Sequence, residues 1–270
     1  MIPRLYVNAP LLQLDQGLLT IFLRDRLQPE IGLQGADPLD FPAAKLHALA
    51  KALDDAGLGC TLHAPFLGLD PAAADMAVRQ RTASALNWAF SLLPILRPAA
   101  IVCHPHLVAA GEAFAERLEM SLRFWRPLLT IAARHGVTVM FENTYETNPA
   151  GHRALLSGLD SPRARFCLDS GHVLAFARNH WRDWLPALEP WLGHLHLHDN
   201  DGSGDSHLAP GRGCFDFEAF FSYLADRGLR PTVTLEPHSE EDLHQSLRYL
   251  ANHHAFQRLM SEPNEEPRQP

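Results

Sequence analysis

Short apolar runs typical of buried strands alternate eight times with longer runs of helical periodicity along the chain. In the helical runs, apolar residues recur at spacings of three and four. Several of these runs end just before a glycine, as at Gly57, Gly136 and Gly228, which is a common helix stop. Repeated strand–helix units predict a parallel sheet, and eight such units close into a barrel. We therefore predict an α/β protein with a single (β/α)8 TIM barrel.

The predicted strands are short, and most are followed by a predicted helix. Strands are predicted at residues 4–7, 30–34, 60–64, 100–104, 138–142, 165–169, 194–198 and 232–236. Helices are predicted at residues 41–56, 75–93, 111–135, 181–191, 217–227 and 240–254. A barrel of this type occupies about 250 residues, which fits the 270 residues of the chain as one domain. We assign residues 1–260 to the barrel and the polar, proline-rich residues 261–270 to a disordered tail.

The composition excludes several classes of function. Only two lysines are present, Lys45 and Lys51, both in one helical run, which argues against a Schiff-base lysine. The net charge of −8 without a basic run argues against nucleic acid as a partner. No apolar run is long enough for a membrane helix, and the first residues lack the apolar run of a signal peptide, so we expect a cytoplasmic protein. The four cysteines form no CxxC pair, whereas histidine is abundant, at 16 residues.

Side chains that commonly bind metals lie at or just beyond the ends of six successive predicted strands. They are His63, His104, Glu142, Asp169, His172, His196, Asp205, His207 and Glu236. Because the carboxyl ends of barrel strands meet at one face, these side chains are predicted to converge there. Packing several carboxylates together without a cation is costly, and neither lysine lies near them in the sequence. The pattern therefore predicts a metal centre.

Neighbouring residues need separate interpretations, because a single histidine after a strand is more often structural than a metal ligand. His194 and His198 share the strand parity of His196, so His198 is an alternative ligand to His196, which we favour. Asp199 and Asp201 are interpreted either as turn residues or as residues that support the metal ligands from behind. Cys103 is predicted to face the helices and Cys167 the barrel interior.

The motifs resemble those of the xylose isomerase-like TIM barrel superfamily (AP endonuclease family 2). The matching segments are His63-Ala64-Pro65-Phe66, His104-Pro105, Phe141-Glu142-Asn143, Leu168-Asp169-Ser170-Gly171-His172, His196-Leu197-His198-Asp199, Asp205-Ser206-His207, Gly211-Arg212-Gly213 and Leu235-Glu236. Within this superfamily the sequence is most similar to the endonuclease IV-type metal phosphodiesterases. The similarity runs in order from the third strand to the eighth.

This resemblance implies up to three metal ions, with assignments carried over residue by residue. His63, His104 and Glu142 would hold the first ion. Glu142 would bridge to a second ion, which Asp169, His196 and Glu236 would complete. His172, Asp205 and His207 would hold the third. Histidine-rich sites favour Zn²⁺, with Mn²⁺ as the alternative.

The resemblance favours metal-dependent hydrolysis of a phosphodiester, with Glu142 and Glu236 as the catalytic carboxylates. The first two loops of the predicted barrel, residues 8–12 and 35–40, contain no arginine or lysine, which argues against a DNA abasic-site endonuclease. We therefore expect a small-molecule substrate, with the cobamide-type phosphodiesters of some relatives as one candidate. Arg212 is predicted to bind this substrate, with a solvated loop residue as the alternative interpretation.

Two alternatives remain open. A sugar or sugar-phosphate isomerase or epimerase would need one divalent metal, held by Glu142, Asp169, His196 and Glu236, with the two glutamates moving protons. A non-catalytic metal-binding barrel is the third interpretation. The sequence does not specify the exact substrate, the number of metal ions or the oligomeric state.

Overall fold

Eight parallel strands form a closed barrel in the computed structural model, which describes residues 4–108, 112–177 and 179–261. Each strand pairs with the next along the chain, and β1 pairs with β8 to close the barrel. The strands are β1 (Leu5–Pro10), β2 (Gln28–Gly32), β3 (Thr61–His63), β4 (Ala100–Cys103), β5 (Thr138–Glu142), β6 (Ala164–Asp169), β7 (Leu192–Leu197) and β8 (Thr232–Leu235). The predicted (β/α)8 TIM barrel is confirmed.

Helices connect the strands and surround the barrel. They are α1 (Leu11–Gln13), α2 (Leu19–Asp25), α3 (Ala43–Asp55), α4 (Met76–Ser91), α5 (Leu93–Leu96), α6 (Glu112–Arg134), α7 (Ala150–Leu159), α8 (Ser170–His172), α9 (Trp181–Leu188), α10 (Phe217–Asp226), α11 (Glu240–Asn252) and α12 (His254–Met260). Short π-helical turns span Leu14–Leu18 and Val173–Ala177, and 3₁₀ turns span Pro38–Asp40 and Glu189–Trp191.

All eight predicted strands are present, with ends that move by up to three residues. Each of the six predicted helices is also found, and the predicted helix 240–254 divides at His253 into α11 and α12. The predicted helix start at Gly111 lies outside the described residues, as do residues 262–270 of the predicted tail. The helices between β1 and β2 and helix α7 were not predicted.

The core consists of two layers on the two faces of the barrel strands. The larger layer packs strand residues such as Phe141 and Leu195 against the surrounding helices. The smaller layer lies inside the barrel and contains Ala100, Val102, Met140 and Cys167. Cys103 belongs to the outer layer and Cys167 to the inner one, as their strand parity predicted. Above this inner layer, polar side chains occupy the barrel interior.

No helix in the described part of the chain has the length and hydropathy needed to cross a membrane.

Candidate metal centre

The nine predicted ligands lie at the carboxyl ends of strands β3 to β8 or in the loops that follow them. Their side chains form two adjoining sets. We call His63, His104, Glu142, Asp169, His196 and Glu236 the central group, and His172, His198, Asp205 and His207 the outer group. The central group closes the barrel interior, and the outer group lies toward the loops after β6 and β7.

Glu142 lies in the middle of the central group, with its side chain only 1% exposed. Its Oε2 lies 3.2 Å from Nε2 of His63 and 3.1 Å from Nε2 of His104. Its Oε1 lies 3.1 Å from Nδ1 of His172. Nδ1 of His196 lies 3.3 Å from Oε2. One carboxylate is therefore in contact with four imidazole rings, which is the arrangement that a bridging ligand would need.

His196 connects the other members of the central group. Its Nδ1 lies 3.2 Å from Oε1 of Glu236 and 3.8 Å from Oδ2 of Asp169. Potential ligand atoms of His63, His196 and Glu236 all lie within 4.8 Å of one another. The predicted convergence of His63 and Glu236 on one face of the barrel is therefore confirmed.

The outer group is built around Asp205. Its Oδ2 lies 3.4 Å from Nε2 of His172 and 3.3 Å from Nε2 of His207. The ring of His198 stacks on that of His207, with centroids 3.9 Å apart. Nε2 of His198 also lies 3.0 Å from Oδ1 of Asp169, so His198 joins the outer group to the central one. Of the two alternative ligands, His196 faces the central carboxylates and His198 faces both groups.

Several rings are oriented by a backbone carbonyl oxygen that faces Nδ1. In His63, His172 and His207, Nδ1 lies 2.8–3.1 Å from a backbone carbonyl oxygen. Because a carbonyl can only accept, Nδ1 carries the proton, and in the neutral ring Nε2 presents a lone pair. That lone pair faces a carboxylate oxygen, so a cation is needed between the two acceptors. Metal-binding histidines are commonly held in this way.

The central carboxylates have only histidines as ion-pair partners among the described residues. Burial alone would raise the pKa of Glu142, but the charges of His104 and His196 hold it well below its usual range. Burial lowers the pKa of His104 itself, which favours the neutral form of the ring that a metal ligand requires. The charge balance therefore favours bound cations.

In the outer group, burial and neighbouring charged groups again shift the pKa values in opposite directions. Burial would raise the pKa of Asp205, but hydrogen bonds from His172 and His207 hold it far below its usual range. Burial would lower the pKa of His207, but hydrogen bonding to Asp205 raises it to about 9. In the metal-free protein, protons on these rings thus take the place of a metal ion.

These donor sets fit divalent metal ions. Unpaired buried atoms in the two groups include Nδ1 of His196, Nδ1 of His198 and Oδ1 of Asp205, none of which has a hydrogen-bond partner among the described residues. Mixed imidazole and carboxylate ligands suit Zn²⁺ and Mn²⁺. The number and identity of the ions predicted from the sequence stay predictions.

Asp199 organises the loop that carries the outer group. Its carboxylate accepts hydrogen bonds from the backbone amides of Gly211, Gly213 and Phe215 at 2.9–3.1 Å. The predicted turn role of Asp199 is therefore confirmed. A Cβ at Gly213 would overlap the backbone carbonyl of Asn200, so only glycine fits at this position.

The sequence did not single out Glu30, which is completely buried inside the barrel. Its carboxylate accepts hydrogen bonds from the hydroxyls of Thr61 and Thr234 and lies within 3.3 Å of His194 and His196. The only signal in the sequence is a charged residue within a predicted strand.

A pocket of about 410 Å³ opens above the metal centre. Three aromatic side chains, Phe66, Tyr145 and Phe176, line part of its wall. The lining residues are Asn8, Pro10, Gly32, Gln34, His63, Phe66, His104, Glu142, Thr144, Tyr145, His172, Phe176, Asp205, His207, Glu236, Pro237 and His238. A pocket of this size suits a small molecule.

Arg212 is not among the residues that line this pocket, and its side chain is exposed on the loop after β7. The structure therefore does not bring Arg212 to the nine predicted ligands. Its predicted contact with substrate stays a prediction.

Comparison with known proteins identifies relatives of this barrel. The family model described as Xylose isomerase-like TIM barrel matches residues 26–253. An uncharacterized protein of Methanocaldococcus jannaschii is 24% identical over 198 residues, which are 70% of this chain and 68% of that protein.

Solved structures share the same barrel. A protein from Thermus thermophilus, whose crystals were soaked with ZnCl₂, is 26% identical, with a TM-score of 0.73 over 92% of this chain and 96% of that one. A D-tagatose 3-epimerase-like protein is 21% identical, with a TM-score of 0.72 over 83% and 87% of the two chains. D-allulose 3-epimerase from Methylomonas sp. is 19% identical, with a TM-score of 0.72 over 95% and 98%. The endonuclease IV-type subgroup indicated by the motifs stays a prediction.

Proposed function

This chain belongs to the xylose isomerase-like TIM barrel family, and on that premise we propose that it is a metal-dependent isomerase or epimerase of a sugar or sugar phosphate. The sequence motifs allow such an isomerase or epimerase as the alternative to a phosphodiesterase. Among the structurally similar proteins, one is named a D-tagatose 3-epimerase-like protein and another a D-allulose 3-epimerase. Both names support this choice.

The observation that carries the proposal is the pair of glutamates at the floor of the pocket. Glu142 and Glu236 both line the pocket and both lie within 3.3 Å of Nδ1 of His196. Glu142, Asp169, His196 and Glu236 would hold one divalent ion, which supplies Lewis acidity toward a carbonyl oxygen of the substrate when it is bound. These four residues are the minimum set that the reaction needs.

The two glutamates then act as proton carriers. One carboxylate removes a proton from the carbon next to the substrate carbonyl. The same carboxyl then returns that proton to a neighbouring atom, or the other carboxyl, which has taken a proton from solvent, gives it to the opposite face. Glu142 starts ionised, since the histidines around it hold its pKa well below the usual range. No lysine is needed for this chemistry, which agrees with the exposed ion pairs that Lys45 and Lys51 form with Asp15 and Asp55.

The pocket wall supports a carbohydrate substrate. Phe66 and the contacting pair Tyr145 and Phe176, whose ring centroids lie 4.7 Å apart, offer apolar surfaces to the C–H faces of a sugar. Asn8 and Gln34 add amide groups for its hydroxyls.

A phosphodiesterase is the second candidate. An enzyme with one metal ion does not need the potential metal ligands of the outer group. Asp205 and His207 line the same pocket, and with His198 they form a further set of potential ligand atoms within 4.8 Å of one another. Additional metal ions there would suit the attack of a metal-activated water on phosphorus.

The test is a substrate panel with protein loaded with Mn²⁺, Co²⁺ or Zn²⁺. Ketoses, aldoses and their phosphates are incubated with the protein and the products are separated by chromatography, in parallel with bis(p-nitrophenyl) phosphate. We expect interconversion of at least one sugar, lost in Glu236→Gln, and no hydrolysis of the phosphodiester. Phosphodiester hydrolysis without sugar conversion would favour the second candidate instead.

A further inference from the structure

Glu30 is a buried carboxylate that the proposed reaction does not use. It lies on β2 inside the barrel, with no exposed surface, and every ion-pair contact described for it comes from a histidine on β7. Oε1 of Glu30 lies 3.0 Å from Nε2 of His196, and Oε2 lies 3.3 Å from Nε2 of His194. Burying a carboxylate at this depth is costly, so its retention calls for a specific partner.

His196 is held between two layers of carboxylates. Its Nδ1 faces Glu142 and Glu236 at the floor of the pocket, and its Nε2 faces Glu30 below. Nε2 of His196 and Oε1 of Glu30 lie 3.0 Å apart, and neither atom has a hydrogen bond of regular geometry to any described group, including the other. The two atoms are therefore each other's available partners.

The other oxygen of Glu30 is fixed by hydroxyl groups. Thr61 and Thr234 donate to Oε2 at 3.0 and 2.9 Å. Both threonines lie on strands of the barrel, so the rotation of the carboxylate is set by the sheet, and Oε1 is left facing His196. The nearby thiol of Cys167 is no competing anion, since burial raises its pKa.

We propose that Glu30 is a positioning residue that fixes the tautomer and orientation of His196 as a metal ligand. A carboxylate can only accept, so it keeps the ring proton on Nε2 and leaves the lone pair of Nδ1 directed at the metal centre. In His63, His172 and His207, a backbone carbonyl oxygen fixes the tautomer instead, because it accepts the proton of Nδ1. The inference rests on the metal site of the proposed function, and it holds for either reaction at that site.

The test is a titration of metal-free protein with Co²⁺, followed by visible absorption. In Glu30→Gln the amide NH₂ can donate to Nε2 and thereby favour a proton on Nδ1. We expect this variant to bind Co²⁺ about 10–100-fold more weakly than the wild type, with an altered absorption spectrum. Glu146→Gln is the matched control, since it neutralises another buried carboxylate, one that bonds to the backbone amides of Leu107 and Thr144 and not to His196. It should change the affinity by less than about twofold.

Two comparisons separate the possible failures. If His196→Ala binds Co²⁺ as tightly as the wild type, the metal site of the proposed function is wrong. If His196→Ala weakens binding but folded Glu30→Gln does not, the positioning role is wrong while the site stands.

A measurement on the unaltered protein covers the case in which Glu30→Gln fails to fold. Long-range ¹H–¹⁵N spectra of Zn²⁺-loaded, histidine-labelled protein report which nitrogen of each ring is protonated. We expect the His196 signal, assigned by its loss in His196→Gln, to show a proton on Nε2. A proton on Nδ1 would overturn the proposal.

Discussion

Among single residues, Glu142 has the most contacts within the centre. Its two oxygens face His63, His104, His172 and His196 at 3.1–3.3 Å, so a single negative charge is shared among four rings. Removing that charge leaves buried rings without their common partner, which typically costs more than the loss of one exposed contact.

We predict that Glu142→Gln loses more bound metal than a substitution in the outer group and abolishes turnover. An amide is a poor ligand for Zn²⁺, and here it would replace the carboxylate that contacts both groups. Metal content after dialysis, measured by mass spectrometry, should fall further below that of wild type in Glu142→Gln than in His207→Ala. Equal losses in both variants would argue against a bridging Glu142.

Glu146→Gln is the matched control for this substitution. Glu146 is also a buried carboxylate, but it accepts hydrogen bonds from the backbone amides of Leu107 and Thr144 instead of facing the ligands. Its replacement should lower stability and leave the metal content unchanged.

The pKa of His207 predicts how the metal-free protein responds to pH. This pKa is about 9 in the folded protein and about 6.5 in the unfolded chain, so the protonated ring stabilises the fold. The stabilisation is complete below pH 6.5 and is lost as the pH rises through 9. With chelator present, wild type should therefore exceed His207→Gln in Tm at about pH 6, and this gap should narrow by about pH 10. A gap that is constant with pH would contradict the assignment.

Among elements, the loop after β7 shows how backbone geometry supports the centre. Asp199 gathers the amides of Gly211, Gly213 and Phe215, and thereby fixes the loop that carries Asp205 and His207. The loop has little regular secondary structure of its own, so its shape depends on these hydrogen bonds and on close backbone contacts.

We predict that Gly213→Ala disturbs this loop. The added Cβ would overlap the Asn200 carbonyl and the Asp199 carboxylate, and relieving such overlap typically costs about 1–3 kcal/mol. Thermal unfolding should show a lower Tm, and Co²⁺ titration should show weaker binding at the outer group. Gly204→Ala is the control, because its Cβ would meet no atom within 4 Å. If Gly213→Ala and Gly204→Ala had the same Tm and the same Co²⁺ affinity, the close contact at Gly213 would not support the loop.

The metal ligands at the strand ends could be predicted because each of them belongs to a short, local sequence pattern. A ligand-type residue such as Glu142 or Asp169 is the last residue of a largely apolar strand, and the barrel then brings these ends together. Glu30 could not be predicted in the same way. Besides Thr61 on the neighbouring β3, its partners lie on β7 and β8, and only the closed barrel brings those two strands to β2. Arg212 was predicted from a motif, but side-chain direction in an irregular loop is not a local property.

The helices that the spacing of apolar residues did not predict are interrupted or short. Between β1 and β2, Gly17 has a φ of +118° and interrupts the helical path, so no continuous period of 3.6 marks the segment. Helix α7 (Ala150–Leu159) has only ten residues, follows a proline and ends at Asp160 in the left-handed conformation. Short helices of this kind give little periodic signal.

For the whole molecule, the barrel collects a large amount of buried charge. Glu30, Glu142, Asp169, Asp205 and Glu236 have only histidines as ion-pair partners among the described residues. Cations that bind the folded state alone stabilise it in proportion to the logarithm of their concentration.

We predict that Zn²⁺ raises the Tm of wild-type protein and that a chelator lowers it. At a free ion concentration about 100 times Kd, the stabilisation amounts to about 2.7 kcal/mol. Differential scanning calorimetry at fixed pH measures the effect, and Glu142→Gln should show a much smaller rise. A wild-type Tm that does not respond to any divalent ion would contradict the presence of a metal centre.

The central claim is that the two glutamates at the pocket floor move protons on a metal-bound sugar. Its most direct test is solvent exchange in D₂O, in which metal-loaded protein is incubated with ketoses and their phosphates and followed by ¹H NMR. We predict that wild type replaces the hydrogen on a carbon next to the carbonyl with deuterium, and that Glu236→Gln slows this exchange at least about 100-fold. Exchange that proceeds equally fast in Glu236→Gln, or its absence with every sugar while a phosphodiester is hydrolysed, would contradict the account.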